Sequence, residues 1–342
     1  MKAMIMKNVS DLHKTTTPLE MVDLPIPEPK RQDLLLKVKA CGVCHTEIDE
    51  IEGRTPPRKF PVVPGHEVIG VIKKIGPEVT KFTIGQRVGV GWIFSSCLNC
   101  KYCKNGNENL CNDFVATGRD INGGYAEYMV VNENFAFSIP DIYTDSQAAP
   151  LMCAGAIGYR ALNLTKIENG ENIGLTGFGA SAHLVLKMVQ YIFPDTKIYV
   201  FARNKKEREF ARQLGAVWTG DTEDCSPEKL HAIIDTTPVW KPVVEAMKNL
   251  NAGGRLVINA VRKEDIDKEY LLQIDYTCDL WLEKEIKSVA NVARGDLSGF
   301  LKLAAEMSLK PEIQEYDLKD ANKALTELKA GGVRGAKVLT IP

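Results

Sequence analysis

A tight glycine turn between a strand and a helix, at residues 171–192, constrains this chain more than any other feature. Glu171 to Thr176 reads as a strand and Ser181 to Ile192 as a helix, with Gly177-Phe178-Gly179-Ala180-Ser181-Ala182 between them. In a G-x-G-x-x-A turn the first glycine permits the sharp bend and the second lets a pyrophosphate approach the backbone. The small residue at Ala182 lets helix and strand pack closely. The helix N-terminus adds free N–H groups and a partial positive charge for phosphate. A lone glycine turn is a weak signal; its position between these two elements makes it a dinucleotide site. Strand and helix patterns continue at Lys197 to Ala202, Lys205 to Leu214, Ala232 to Asp235, Lys241 to Leu250 and Arg255 to Asn259. Such alternation predicts a parallel sheet with right-handed crossovers.

The end of the second strand selects between dinucleotides, since an Asp or Glu there accepts bonds from the ribose 2′-OH of NAD. In Ile198-Tyr199-Val200-Phe201-Ala202-Arg203 that place falls on Ala202, followed by Arg203, Lys205 and Lys206. No carboxylate stands at the strand end to repel a 2′-phosphate, and a guanidinium is available to pair with it. NADP(H) is therefore favoured over NAD(H).

The first 140 residues have a different texture. Leu34 to Ala40 and Glu67 to Ile75 are β-branched runs of strand length, punctuated by Pro61-Pro64, Gly76-Pro77 and Gly123-Gly124. They predict a β-rich domain. From about Asp296 the tail returns to helix and closes with a strand at Lys337 to Ile341. Within the β-rich part Cys97, Cys100, Cys103 and Cys111 lie close enough for four thiolates to close around one tetrahedral Zn²⁺. A site closed by four sulfurs leaves no position for substrate, so it reads as structural. An iron–sulfur reading fits worse, because the ferredoxin run puts three residues before its last Cys and Pro after it. Cys44, His66 in Gly65-His66-Glu67, and Cys153 offer sulfur, nitrogen and sulfur for a second, open zinc. Cys41, with Cys44 in a C-x-x-C, reads as a buried neighbour.

Lys plus Arg number 43 against 44 Asp plus Glu, so net charge gives no reason to expect nucleic acid or an anionic membrane as partner. No uninterrupted apolar run is long enough to span a membrane, and Met1 to Ser10 carries no secretory pattern. Nine cysteines without such a pattern point to metal ligation in a reducing compartment, so cytoplasm is the expected location.

Gly42-Val43-Cys44-His45-Thr46-Glu47, Gly65-His66-Glu67-Val68-Ile69-Gly70, the four-cysteine loop, Gly123-Gly124-Tyr125-Ala126-Glu127-Tyr128, Cys153 and the Gly177 turn follow in order. With these six motifs the chain resembles, over essentially its whole length, the zinc-dependent alcohol dehydrogenases of the medium-chain dehydrogenase/reductase superfamily. The resemblance implies an α/β fold: a GroES-like β-rich catalytic domain at 1–153 and 290–342, and a Rossmann domain at 154–289. It implies two zinc ions per chain, Cys44, His66 and Cys153 holding the catalytic one and Cys97, Cys100, Cys103 and Cys111 the structural one. Zinc there would acidify an alcohol so that hydride passes to the nicotinamide, a Cys2His site being a known catalytic pattern.

By position Glu47 would orient His66, Glu67 would lie behind the zinc, and Thr46 would relay the alcohol's proton towards the cofactor ribose. Asp49 stands where many relatives carry a histidine, which leaves the last proton step open. His45 and Arg334 resemble cofactor-phosphate contacts, beside Gly177, Gly179, Ala180, Ser181, Ala182, Ala202 and Arg203. Trp92 falls where an aromatic narrows the channel for small alcohols. The implied activity is interconversion of small alcohols and aldehydes by a homodimer or homotetramer. Reduction of bulky, cinnamyl-type aldehydes and a non-catalytic NADPH-binding role are the alternatives.

Overall fold

The longest strand, Asp33–Val43, is a run of leucine, valine and alanine broken by two lysines, and it organises the β-rich part. Leu34, Leu36, Val38 and Ala40 are fully buried at every second position, the period that places one face of a strand in a core. The strand pairs antiparallel with Val68–Ile75, Tyr128–Asn132 and Ala336–Thr340. The sheet runs Ile313–Asp317, Ala336–Thr340, Asp33–Val43, Val68–Ile75, Arg87–Val90, Phe137–Ser138, with Tyr128–Asn132 joined to Asp33–Val43. Two register shifts bring Cys41 opposite Val68. The residues just beyond that pairing are Cys44 on one strand and His66 and Glu67 on the other, so strand register converges them at one end of the sheet.

The computed structural model describes residues 1–331 and 335–342, with Ala180 by its backbone alone. Contacts gather the chain into two units, Met1–Ala156 with Val292–Pro342, and Ile157–Asn291. The sheet above belongs to the first.

In the second unit a parallel sheet has the order Trp218–Gly220, Lys197–Phe201, Asn172–Thr176, Leu230–Asp235, Leu250–Ile258, Glu285–Ser288. The chain enters at Asn172–Thr176, winds outward to Trp218–Gly220, then restarts at Leu230–Asp235 and winds the other way. This is the doubly wound Rossmann order, and its switch point lies between Asn172–Thr176 and Leu230–Asp235. Tyr199, Phe201, Leu230, Ile233, Val243, Met247 and Leu256 form a buried core on the sheet. Central strands buried on both faces explain why Asn172–Thr176 has no exposed residue. Among the described residues no helix is long and apolar enough to cross a membrane.

Candidate active site and dinucleotide turn

Cys44 follows the long strand directly and stands at the N-cap of the short helix His45–Ile51. Its backbone N–H donates to Glu47 Oε2 at 2.8 Å, while Glu47 Oε1 lies 2.5 Å from His66 Nδ1. One buried carboxylate thus anchors both residues. With Nδ1 engaged, His66 Nε2 is the free nitrogen, and it is buried with no hydrogen-bond partner among the described residues. Cys44 Sγ and Cys153 Sγ are 4.0 Å apart, and Thr46 Oγ1 is 3.6 Å from Cys44 Sγ. Cys153 arrives from the end of the 3-10 turn Ala149–Met152. Ligand atoms of Cys44, His66, Glu67 and Cys153 all lie within 4.8 Å of one another.

The electrostatics favour a cation. The contact between the two sulfurs, helped by His66, holds the Cys44 thiol well below its ordinary value, and the same contact with burial pushes Cys153 up. Burial opposes charge on His66, but Glu47 and Cys44 together outweigh it and raise the ring's pKa. Burial and the nearby Cys44 raise Glu67. A buried orphan nitrogen between two sulfurs, with a carboxylate behind the imidazole, fits Zn²⁺ in donor type and in support. Gly42 makes room for this arrangement, since a Cβ there would fall 1.7 Å from Glu67 Oε2. Gly65, at φ +99°, presses against Tyr125 and lets the chain turn into His66. Cys41 is a fully buried thiol whose pKa burial raises well above the ordinary value.

Other expected residues lie around this centre. His45 is exposed at the helix start. Asp49 Oδ1 accepts from Arg54 Nε at 2.5 Å. Trp92 is stacked between Phe114, at 5.1 Å between centroids, and the Arg119 guanidinium, at 4.9 Å. Arg334 lies outside the described residues. Sequence reasoning passed over Glu50, which is 1% exposed. Burial and the neighbouring Glu47 raise its carboxyl well above the ordinary range. Its place three and four residues beyond Glu47 and Thr46 was the available signal, because those offsets share one helix face.

The four-cysteine loop is also assembled. Sulfur separations are 3.8 Å for Cys97–Cys103, 3.6 Å for Cys100–Cys103 and 3.5 Å for Cys97–Cys111. A tetrahedron of thiolates with Zn–S bonds of 2.3 Å has edges of about 3.8 Å, so these sulfurs already stand near ligating distance. Backbone N–H groups of Asn99 and Cys100 lower the Cys97 thiol to about 6, and burial raises Cys111 to about 12.

In the second unit Gly177 takes φ +72°, and its N–H donates to the Phe201 carbonyl at 2.8 Å, tying the turn to the neighbouring strand. The helix Ala180–Ile192 begins at Gly179 with no side chain capping its N–H groups, and a Cβ on Gly179 would meet nothing within 4 Å. That open, uncapped approach is what a pyrophosphate needs. Ser181 receives a bond from Asn259 Nδ2 at 3.2 Å, and Ala182 is fully buried. Ala202 follows the next strand, Lys197–Phe201, and its carbonyl accepts from Arg208 at 2.8 Å. Arg203, Lys205 and Lys206 are exposed. The fold adds a carboxylate the strand end lacks: Glu207 is half-buried in the first turn of helix Lys205–Gln213. Its pKa is raised by burial against the pull of Arg203 and the Phe178 N–H.

Comparison with known proteins places the chain in a family. Residues 30–141 match the alcohol dehydrogenase GroES-like domain. A Mycobacterium tuberculosis protein named "Probable alcohol dehydrogenase" is 40% identical over 331 residues, covering 95% of this chain and 94% of its own. Cinnamyl alcohol dehydrogenase 1 of Ocimum basilicum is 31% identical over 316 residues, covering 89% and 87%. Among solved structures, CAD from Helicobacter pylori, complexed with NADP(H), superposes with a TM-score of 0.82 at 25% identity, covering 100% of this chain and 99% of that one. The chain belongs to the zinc-dependent alcohol dehydrogenases of the medium-chain dehydrogenase/reductase superfamily.

Proposed function

We propose that the protein interconverts small primary alcohols and aldehydes by hydride transfer, using NADP(H) in preference to NAD(H) and holding two zinc ions per chain. The observation that carries the reading is the orphan His66 Nε2 beside the Cys44 and Cys153 sulfurs, with Glu47 fixing the imidazole from behind. When bound there, zinc acidifies an alcohol and the nicotinamide exchanges hydride. Cys44, His66 and Cys153 hold the metal, and Glu47 keeps the tautomer with Nε2 free to ligate. Glu67 stands behind the cluster as a further oxygen donor. Thr46 relays the alcohol's proton, its hydroxyl accepting that proton as its own passes on towards the cofactor ribose, and Asp49, ion-paired with Arg54, stands where many relatives carry the last relay group. Cys97, Cys100, Cys103 and Cys111 hold the structural ion.

Gly177, Gly179, Ala180, Ser181 and Ala182 cradle the pyrophosphate, with His45 and Arg334 as further phosphate contacts. Ala202 leaves space for a 2′-phosphate and Arg203 pairs with it. The NADP(H) bound by the H. pylori CAD supports this choice. Trp92 narrows the substrate site towards small alcohols. Against that, the similarity to cinnamyl alcohol dehydrogenases favours a second reading, reduction of bulky aromatic aldehydes. All nine cysteines are outside disulfides, in keeping with a reducing, cytoplasmic location, and the assembly we propose is a homodimer or homotetramer.

The test is the initial rate of NADPH and of NADH oxidation by zinc-loaded protein, with acetaldehyde and with cinnamaldehyde. Faster NADPH oxidation on acetaldehyde is expected. Faster NADH oxidation would discard the Ala202 and Arg203 assignment, and preference for cinnamaldehyde would establish the second reading. No rate with any pair would remove the enzymatic proposal.

A further inference from the structure

A buried ion pair lies within the second half of the parallel sheet, beside its switch point, and its carboxylate reaches across to Thr176 in the first half. Lys263 Nζ donates to Asp235 Oδ2 at 2.5 Å, the two side chains being 7% and 0% exposed. The same ammonium donates to the carbonyls of Thr237 and Val239 at 2.8 and 2.9 Å, so each of its three hydrogens has an acceptor. The other carboxylate oxygen, Asp235 Oδ1, accepts the Thr176 hydroxyl at 2.6 Å, the Thr237 hydroxyl at 2.8 Å and the Thr237 N–H at 3.3 Å. Two buried charges repay their desolvation only when the remaining protons and lone pairs are used. Here they are used.

The placement of this pair matters as much as its saturation. Asp235 ends the strand Leu230–Asp235, and Thr176 ends the adjacent strand immediately before Gly177. Thr236 ties back to the Thr176 carbonyl through both its N–H and its hydroxyl, each at 3.0 Å. The turn and this loop are in close contact, since a Cβ on Gly177 would fall 2.9 Å from Thr237 Cγ2. Lys263 comes from beyond the next strand, Leu250–Ile258. One ammonium therefore fixes the loops 236–240 and 259–263 to each other, while Asp235 and Thr236 tie them to Thr176, the residue before the glycine turn. In a doubly wound sheet each half serves one mononucleotide, and the ligand lies outside the carboxyl ends at the switch point. The glycine turn serves the first half, and the two loops held by Lys263 serve the second.

We propose that Lys263, through Asp235, is a positioning residue for the nicotinamide half of the dinucleotide, an inference that rests on the Gly177 turn being the dinucleotide site. Calorimetric binding to the purified full-length protein tests it, comparing NADPH with 2′,5′-ADP and NADH with AMP. These pairs separate a whole dinucleotide from its adenosine half. Lys263→Met keeps the aliphatic stem and leaves Asp235 with its three other donors. It should raise the Kd of both dinucleotides about tenfold, the scale of one hydrogen bond to a charged group, and change 2′,5′-ADP and AMP less than twofold. Asp235→Asn should reproduce the asymmetry, and the double variant should add little to it. If Lys263→Met fails to fold, Lys263→Gln, which can still donate to one carbonyl, carries the same comparison. Equal weakening of dinucleotide and half-ligand would reduce the pair to general stability and overturn the proposal, as would unchanged binding of all four. Wild-type protein that binds none of the four ligands would instead overturn the dinucleotide reading.

Discussion

Glu47 serves two neighbours with one carboxylate, accepting from the Cys44 backbone and facing the His66 ring. Its residue type was legible in the sequence because it stands three residues after the proposed ligand Cys44, and the fold brings His66 to its other oxygen. Glu47→Gln replaces an acceptor-only group by one that presents an acceptor or a donor, which weakens the hold on the tautomer. Zinc affinity at the Cys44 site should fall by about tenfold to a hundredfold, with kcat/KM falling in parallel. Competition against a chromophoric chelator measures the first; an unchanged zinc affinity would remove the orienting role. Glu50 and Glu207 show the limit at this scale. Their identities are printed in the chain, but burial raised one carboxyl and packing against the glycine turn placed the other. Both effects depend on burial that packing creates, together with neighbours near and far in sequence.

At the scale of elements, the strand-helix alternation of the second unit was readable because its central strands are continuous apolar runs. Asn172–Thr176 and Lys197–Phe201 fall within one residue of expectation. The helix expected from Lys241 to Leu250 stops at Met247, and the next strand begins at Leu250 rather than at Arg255. Gly253 and Gly254 hid that strand, since glycine erases the β-branched signal. Trp218–Gly220 and Glu285–Ser288, three and four residues long, were not anticipated; short edge strands take their shape from a partner. The four-cysteine loop carries the prediction for this scale. Its metal affinity is folding energy, so Cys103→Ala should lower the melting temperature while leaving the Cys44 site's zinc in place. A thermal melt beside metal analysis decides it, and an unchanged melting curve would count against a structural role.

The whole molecule is expected to hold two zinc ions per chain, measurable by elemental analysis of protein purified without chelator. One ion would leave one of the two clusters without its proposed role. Sequence by itself determined the family, the doubly wound alternation, the four-cysteine loop and the identities of Cys44, His66 and Cys153, because spacing and residue type are local properties of a chain. Tertiary structure alone decided that His66 Nε2 is the orphan nitrogen, that Asp49 is held by Arg54, and that Asp235 meets Lys263 beside the switch point. Those outcomes depend on strand register, on which atoms burial strips of water, and on partners tens to hundreds of residues away, none of which a linear pattern records.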